Sequence, residues 1–107
     1  TPLLAIGTEP LVLERLIGVV SDADPARRGT DGAVATFLGL VRNHNAGRHV
    51  RYLEYEAYEP LALKAFERIV AEVGVRWPGV RLSLHHRVGR LEIGDASVAI
   101  AAASAHR

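Results

Sequence analysis

The sequence has 107 residues, 49% of them apolar, with a formal net charge of +1 and no cysteine. That length argues for a single domain, residues 1–107, with one modest core. Without cysteine there are no disulfides, thiolate metal sites, iron–sulfur clusters or cysteine nucleophile, and no apolar run approaches the ~20 residues of a transmembrane helix.

The net charge says nothing about nucleic acid, but the basic residues are scattered rather than banded with aromatics, which supports RNA or DNA binding poorly. Lys64 is the only lysine; every other basic residue is an arginine. Arginine is a planar, permanently charged fork suited to phosphate and carboxylate, although a GC-rich coding bias yields the same usage. The first ten residues, TPLLAIGTEP, lack a basic segment and a long apolar segment, so they do not read as a secretory signal. A cytoplasmic protein without membrane contact is expected. The opening on Thr1 rather than methionine leads us to expect numbering that starts inside a longer chain.

Leu3 to Ile6 reads as a short edge strand. Thr8 can cap a helix with Glu9 and Pro10 in its first turn, and Leu13, Leu16, Ile17 and Val20 recur at helical spacing. Ser21 to Asp31 is a turn-rich loop in which Arg27 and Arg28 are expected as solvated charge. Gly32 to Val41 follows as a strand. Both of its faces are apolar, Val34, Thr36, Leu38 and Leu40 against Ala33, Ala35, Phe37, Gly39 and Val41, so a central position is expected. The Asn/Gly-containing segment from Asn43 to His49 joins it to a second strand, Val50 to Ala57, as a hairpin.

Pro60 opens a second helix with Ala62, Phe66, Ile69, Val70, Val73 and Trp77 on one stripe. Trp77 is expected to anchor that stripe in the core, and Trp77-Pro78-Gly79 ends the helix. Val80 to Val88 is a third strand, Gly89 to Asp95 a loop, and Ser97 to Ala103 a fourth strand of small residues. Helix, strand, strand, helix, strand, strand is an α+β pattern. It implies a mainly antiparallel or mixed sheet with helices on one side.

Two apolar strands end in polar clusters, Arg42-Asn43-His44-Asn45 and Ser104-Ala105-His106-Arg107. If the ends converge, their guanidinium and imidazole groups form a pocket for phosphate or carboxylate. Otherwise each is a polar strand end. His85 and His86 are adjacent on a strand and point to opposite faces, so they do not share a metal ion. His44 and His49 lack a suggestive third ligand, so no metal is expected. Glu54 and Glu56 read as a solvated face. No Walker loop, dinucleotide-binding glycine pattern, nucleophile elbow or HExxH is present.

Gly32–Asn45 (GAVATFLGLVRNHN), Leu53–Tyr58 (LEYEAY), Arg76-Trp77-Pro78, His86–Gly89 (HRVG), Gly94-Asp95 and Ser104–Arg107 (SAHR) occur in the order and approximate spacing of one family. From about Asp31 to Arg107 the chain resembles the large, catalytic subunit of molybdopterin synthase. The resemblance implies an α/β hammerhead-type fold with an additional antiparallel sheet. It implies a homodimer within a heterotetramer, with a small ubiquitin-like subunit at each outer end. The thiocarboxylate on that subunit's Gly-Gly terminus supplies sulfur that converts cyclic pyranopterin monophosphate (precursor Z) to molybdopterin, with no cofactor or metal needed for the step.

Carried onto this sequence, the resemblance assigns substrate binding to Leu40, Val41, Arg42, His106 and Arg107, with Leu40 limited to backbone or apolar contact. Phe37, Asn43 and His44 would line the pocket or the tail channel. His106 is also the candidate for moving a proton near neutral pH. The family's essential lysines lie on and just after a helix downstream of the Ser-Ala-His-Arg element. Here the sequence ends at Arg107, and Lys64 lies in a different helix. A lysine-bearing segment beyond Arg107 is therefore expected. The alternative is a truncated, non-catalytic binding module that keeps the dimer and small-subunit contacts.

Overall fold

The structure is a computed structural model that describes residues 1–21, 25–45, 48–49 and 52–107, with residues 44–45, 48–49 and 52–55 described through their backbone. The elements are β1 (Leu4–Gly7), α1 (Leu13–Ser21), a 3-10 turn (Pro25–Arg27), β2 (Ala33–Leu40), β3 (His44–Asn45), β4 (Arg48–His49), β5 (Tyr52–Tyr55), α2 (Glu59–Arg76), β6 (Arg81–Arg87), β7 (Gly89–Glu92) and β8 (Ala96–Ser104). The class is α+β, as expected. Strands β1, β6, β8 and β2, in that order, form one mixed sheet. β1 runs parallel to β6, and the other two pairings are antiparallel.

The core forms where β8 meets α1. Side chains alternate across a strand, and on β8 the buried positions are Ser97, Val-flanked Ala99, Ala101 and Ala103. The three alanines pack against Leu16 and Val20 of α1. Alanine leaves no bulk between helix and sheet, so the apolar stripe of α1 seats directly on the strand. Burying each of the two larger side chains is worth about 1.5–3 kcal/mol. On the same face Arg81 donates from Nη2 to the Val19 carbonyl at 3.1 Å, meeting one of the carbonyls that a helix C-terminus leaves unpaired. Buried Ser83 donates to the Leu3 carbonyl at 2.9 Å, tying the N-terminal segment to β6.

Several expectations need correction. β2 is an edge strand, and β8 holds the central position. Within the single chain most of β2 is exposed, including Val34, Phe37, Leu38 and Leu40. Two apolar faces showed that this strand has something to cover, but the cover does not come from its own sheet. The hairpin between the strand of Phe37 and that of Tyr55 is not formed. β2 pairs with β8, β3 with β4, and β5 with β7. Part of the expected Gly89–Asp95 loop is therefore strand β7, anchored by fully buried Leu91 opposite Leu53.

α2 starts at Glu59-Pro60 as the sequence implies, and the Trp77 amide donates to the Val73 carbonyl at 2.8 Å to close its last turn. Trp77 itself is 57% exposed and is not a core anchor. Its backbone, at φ −133° and ψ 77°, has left the helix, so the indole no longer follows the stripe. The two helices also do not share one side. α1 covers the face of Ala99, while Ala62 and Phe66 of α2 lie beside Ile6, His86 and Val88 across a cavity of about 150 Å³. His86 pairs with Val98, which points away from α1. Among the described residues, no helix is long and apolar enough to cross a membrane.

Candidate functional site

β2 carries the chain toward the first basic cluster. Past Leu40, Val41 leaves the ladder with its side chain 3% exposed, and Arg42 and Asn43 emerge into solvent. His44 begins β3, and its side chain lies outside the described residues. Leu40 and Phe37 are each 57% exposed. Phe37 pairs with Ile100 and Leu38 with Ala99, so Phe37 stands on the sheet face away from α1.

β8 delivers the second cluster. Its last residue, Ser104, accepts the His106 amide on its hydroxyl at 3.3 Å, turning the chain at the strand end. The Ser104 carbonyl accepts the Gly32 amide at 2.8 Å, and Arg107 donates from Nε to the Gly32 carbonyl at 3.3 Å. Gly32 is required here by space. A Cβ at this position would lie 2.5 Å from the Ala105 carbonyl oxygen. Beside this end lies a cavity of about 300 Å³ whose walls include Arg28, Asp31, Gly32 and Val34. Arg27, expected as solvated charge, is instead half-buried and pairs with Asp31 at 3.8 Å. Arg28 is exposed.

The two clusters do not converge within one chain. The antiparallel register sets Ala33 opposite Ser104 and Leu40 opposite Ala96. Arg42 therefore follows one end of the strand pair, and His106 and Arg107 follow the other. At about 3.4 Å per residue the length of β2 alone separates them by roughly 24 Å. His85 and His86 engage the carbonyls of Pro2 and Arg87, each at 2.8 Å. Among the described residues no three histidine, aspartate or glutamate side chains gather as a metal site.

Gly94-Asp95 entered the sequence reading only as part of the family pattern, and Ser97 only as part of a strand, although both lie beside the chain at Val41. The Gly94-Asp95 turn meets Val41 through the backbone, and β8 carries an irregularity at Ser97. Gly-Asp is a turn signal, but which distant residue a turn abuts is not written in the turn.

Residues 6–107 match the family described as MoaE protein. The chain is 42% identical over 104 residues to the molybdopterin synthase catalytic subunit of Nostoc sp., covering 96% of this chain and 59% of that protein. It is 36% identical over 106 residues to molybdopterin synthase catalytic subunit 1 of Mycobacterium tuberculosis, covering 99% and 68% respectively. The crystal structure of molybdopterin synthase from Staphylococcus aureus superposes with a TM-score of 0.89 at 37% identity, over all of this chain and 74% of that one. The chain spans about three fifths of the length of the first curated relatives it matches, 59% and 62%. The chain belongs to the MoaE protein family.

Proposed function

We propose that the chain belongs to a sulfur transferase, the large, catalytic subunit of molybdopterin synthase, which converts cyclic pyranopterin monophosphate to molybdopterin. Sulfur comes from the C-terminal thiocarboxylate of a small ubiquitin-like partner, and the reaction is cytoplasmic. One observation carries the reading: the family match over residues 6–107 includes both basic strand ends, Arg42 and His106-Arg107. The substrate carries a phosphate and the partner brings an acidic terminus. Guanidinium groups bind both through charge-assisted hydrogen bonds and hold the reacting centre in place.

Because the clusters occupy opposite ends of β2, one chain holds only half of such a pocket. The homodimer expected from the family supplies the rest. β2 is an edge strand with apolar side chains exposed on both faces, and a two-fold contact is self-complementary. An axis through the middle of β2 sets the Arg42 end of one protomer against the Gly32–Arg107 end of the other. The pocket then takes Arg42, Leu40 and Asn43 from one copy and His106 and Arg107 from its partner. Phe37, near the middle of β2, lies close to the axis.

The test uses the full-length protein with thiocarboxylated small subunit and cyclic pyranopterin monophosphate, reading the dithiolene product. No product from intact protein would sink the enzyme reading in favour of a binding module. Arg42→Ala and Arg107→Ala chains, each weak alone, are then mixed and allowed to exchange. In a shared site the mixture recovers about a quarter of wild-type activity, since half of the dimers are mixed and each carries one intact site. No recovery rejects the shared pocket.

A further inference from the structure

Arg42 follows a residue that is gripped twice. Val41 donates its amide to the Asp95 carbonyl at 2.9 Å, and its own carbonyl accepts the Gly94 amide at 2.8 Å. The gripping turn is itself braced. The Asp95 amide donates to the Glu92 carbonyl at 3.1 Å, with Gly94 at φ +88°, a left-handed conformation open to glycine at little cost. The Asp95 carboxylate accepts the Glu92 amide at 2.9 Å and Arg87 Nη1 at 3.5 Å. Arg87 in turn donates from Nε to the Thr8 carbonyl at 3.1 Å.

The strand leading into Arg42 is shifted at the same place. Gly39 lies opposite Val98 but Leu40 lies opposite Ala96, so Ser97 is the extra residue of a β-bulge. Its hydroxyl donates to the Gly39 carbonyl at 3.4 Å. A Cβ at Gly39 would stand 2.6 Å from Val98 Cγ1, so β2 and β8 approach closely here because residue 39 has no side chain. From Ala33 to Gly39 the register is otherwise unbroken. A bulge bends the strand that carries it, here β8, and increases the local twist of the pair, so it changes where β2 meets its partner. This one sits just before the exposed guanidinium.

We propose that Asp95 and Ser97 are positioning residues for Arg42: the bulge on β8 sets where Leu40 pairs, and the braced turn locks the chain at Val41. This rests on the reading of Arg42 as a phosphate-binding group of the substrate pocket. An arginine on an unrestrained loop loses backbone freedom when it binds, and fixing that backbone beforehand removes the cost from the binding step.

The experiment uses the full-length protein assembled with its thiocarboxylated partner, turning over cyclic pyranopterin monophosphate. Asp95→Ala, Asp95→Asn, Arg42→Ala and the double variant Arg42→Ala/Asp95→Ala are compared. Amide hydrogen exchange at Val41 and Gly94 is measured alongside KM and kcat. Asp95→Ala is expected to raise KM about tenfold with kcat within about twofold, and to speed exchange at Val41. In the double variant it adds nothing to the KM of Arg42→Ala. Asp95→Asn keeps an acceptor for the Glu92 amide and restores most of the loss. Ser97→Ala, which removes the bond to Gly39, is a milder version should Asp95→Ala not fold. Unchanged exchange at Val41 overturns the brace whatever Arg42 does. Faster exchange with additive KM effects overturns the positioning role. A wild-type KM in Arg42→Ala removes Arg42 from the site and its positioning residues with it. The exchange data separate that failure from failure of the brace.

Discussion

Ser104 lies opposite Ala33, and this one pairing sends Arg107 to the end of β2 that Arg42 does not occupy. A pocket drawing on both arginines is then a property of two chains rather than one. Both ends of β2 are closely held, one by Ser104 and Arg107 on Gly32, the other by Gly94 and Asp95 on Val41.

Arg42 is exposed, whereas its neighbour Val41 carries the packing. Arg42→Ala is therefore expected to weaken substrate binding about tenfold or more while shifting Tm by no more than about 2 °C, the usual range for a surface change. Steady-state kinetics and thermal melts on the same preparation check this. A collapse in Tm would make Arg42 structural.

Phe37 stands exposed on the sheet face away from α1. Phe37→Asp should leave the fold of each chain intact, because more than half of the residue is exposed within it. On the two-fold contact proposed along β2, it should shift the protein from dimer to monomer in sedimentation velocity, because a carboxylate placed there is desolvated without a partner. A variant that remains fully dimeric places the interface elsewhere.

Gly32 has no room for a side chain. Gly32→Ala must push away the Ala105 carbonyl and with it the strand end that carries His106 and Arg107. We expect about 1–3 kcal/mol of destabilisation, as for other overpacked sites. Binding of cyclic pyranopterin monophosphate should weaken as well. Urea denaturation and a direct binding titration measure the two effects separately.

Trp77 and Leu16 make a contrasting pair, the first largely exposed and the second 1% exposed against the alanines of β8. Leu16→Ala should cost about 2–5 kcal/mol. Trp77→Ala should cost less than about 1 kcal/mol, well below the 3–5 kcal/mol of a buried tryptophan. Urea midpoints of the two variants decide it.

Much of the architecture was legible because it is local. The stripe of Leu13, Leu16, Ile17 and Val20 marks α1, Pro60 and Gly79 bracket α2, and Ala99, Ala101 and Ala103 show that β8 meets a closely packed neighbour. Trp77 was misplaced because helical spacing was extended one residue past the break in φ and ψ. β7 was missed because Leu91, its one buried apolar residue, lies between glycines that read as a loop.

By itself the sequence determined the two helices, except that the first starts at Leu13 rather than after Thr8, most of the strands, the basic residues at two strand ends, and the family resemblance. Only the tertiary structure decided which strands pair. Phe37 finds Ile100 rather than the Tyr55 strand, and Val41 meets Asp95. The reason is physical. A helix or strand preference depends on a few adjacent residues, whereas a sheet register is chosen by burial and hydrogen bonding summed over segments far apart in the chain. That register left the two basic clusters apart, exposed the edge of β2, and set the braced turn behind Arg42.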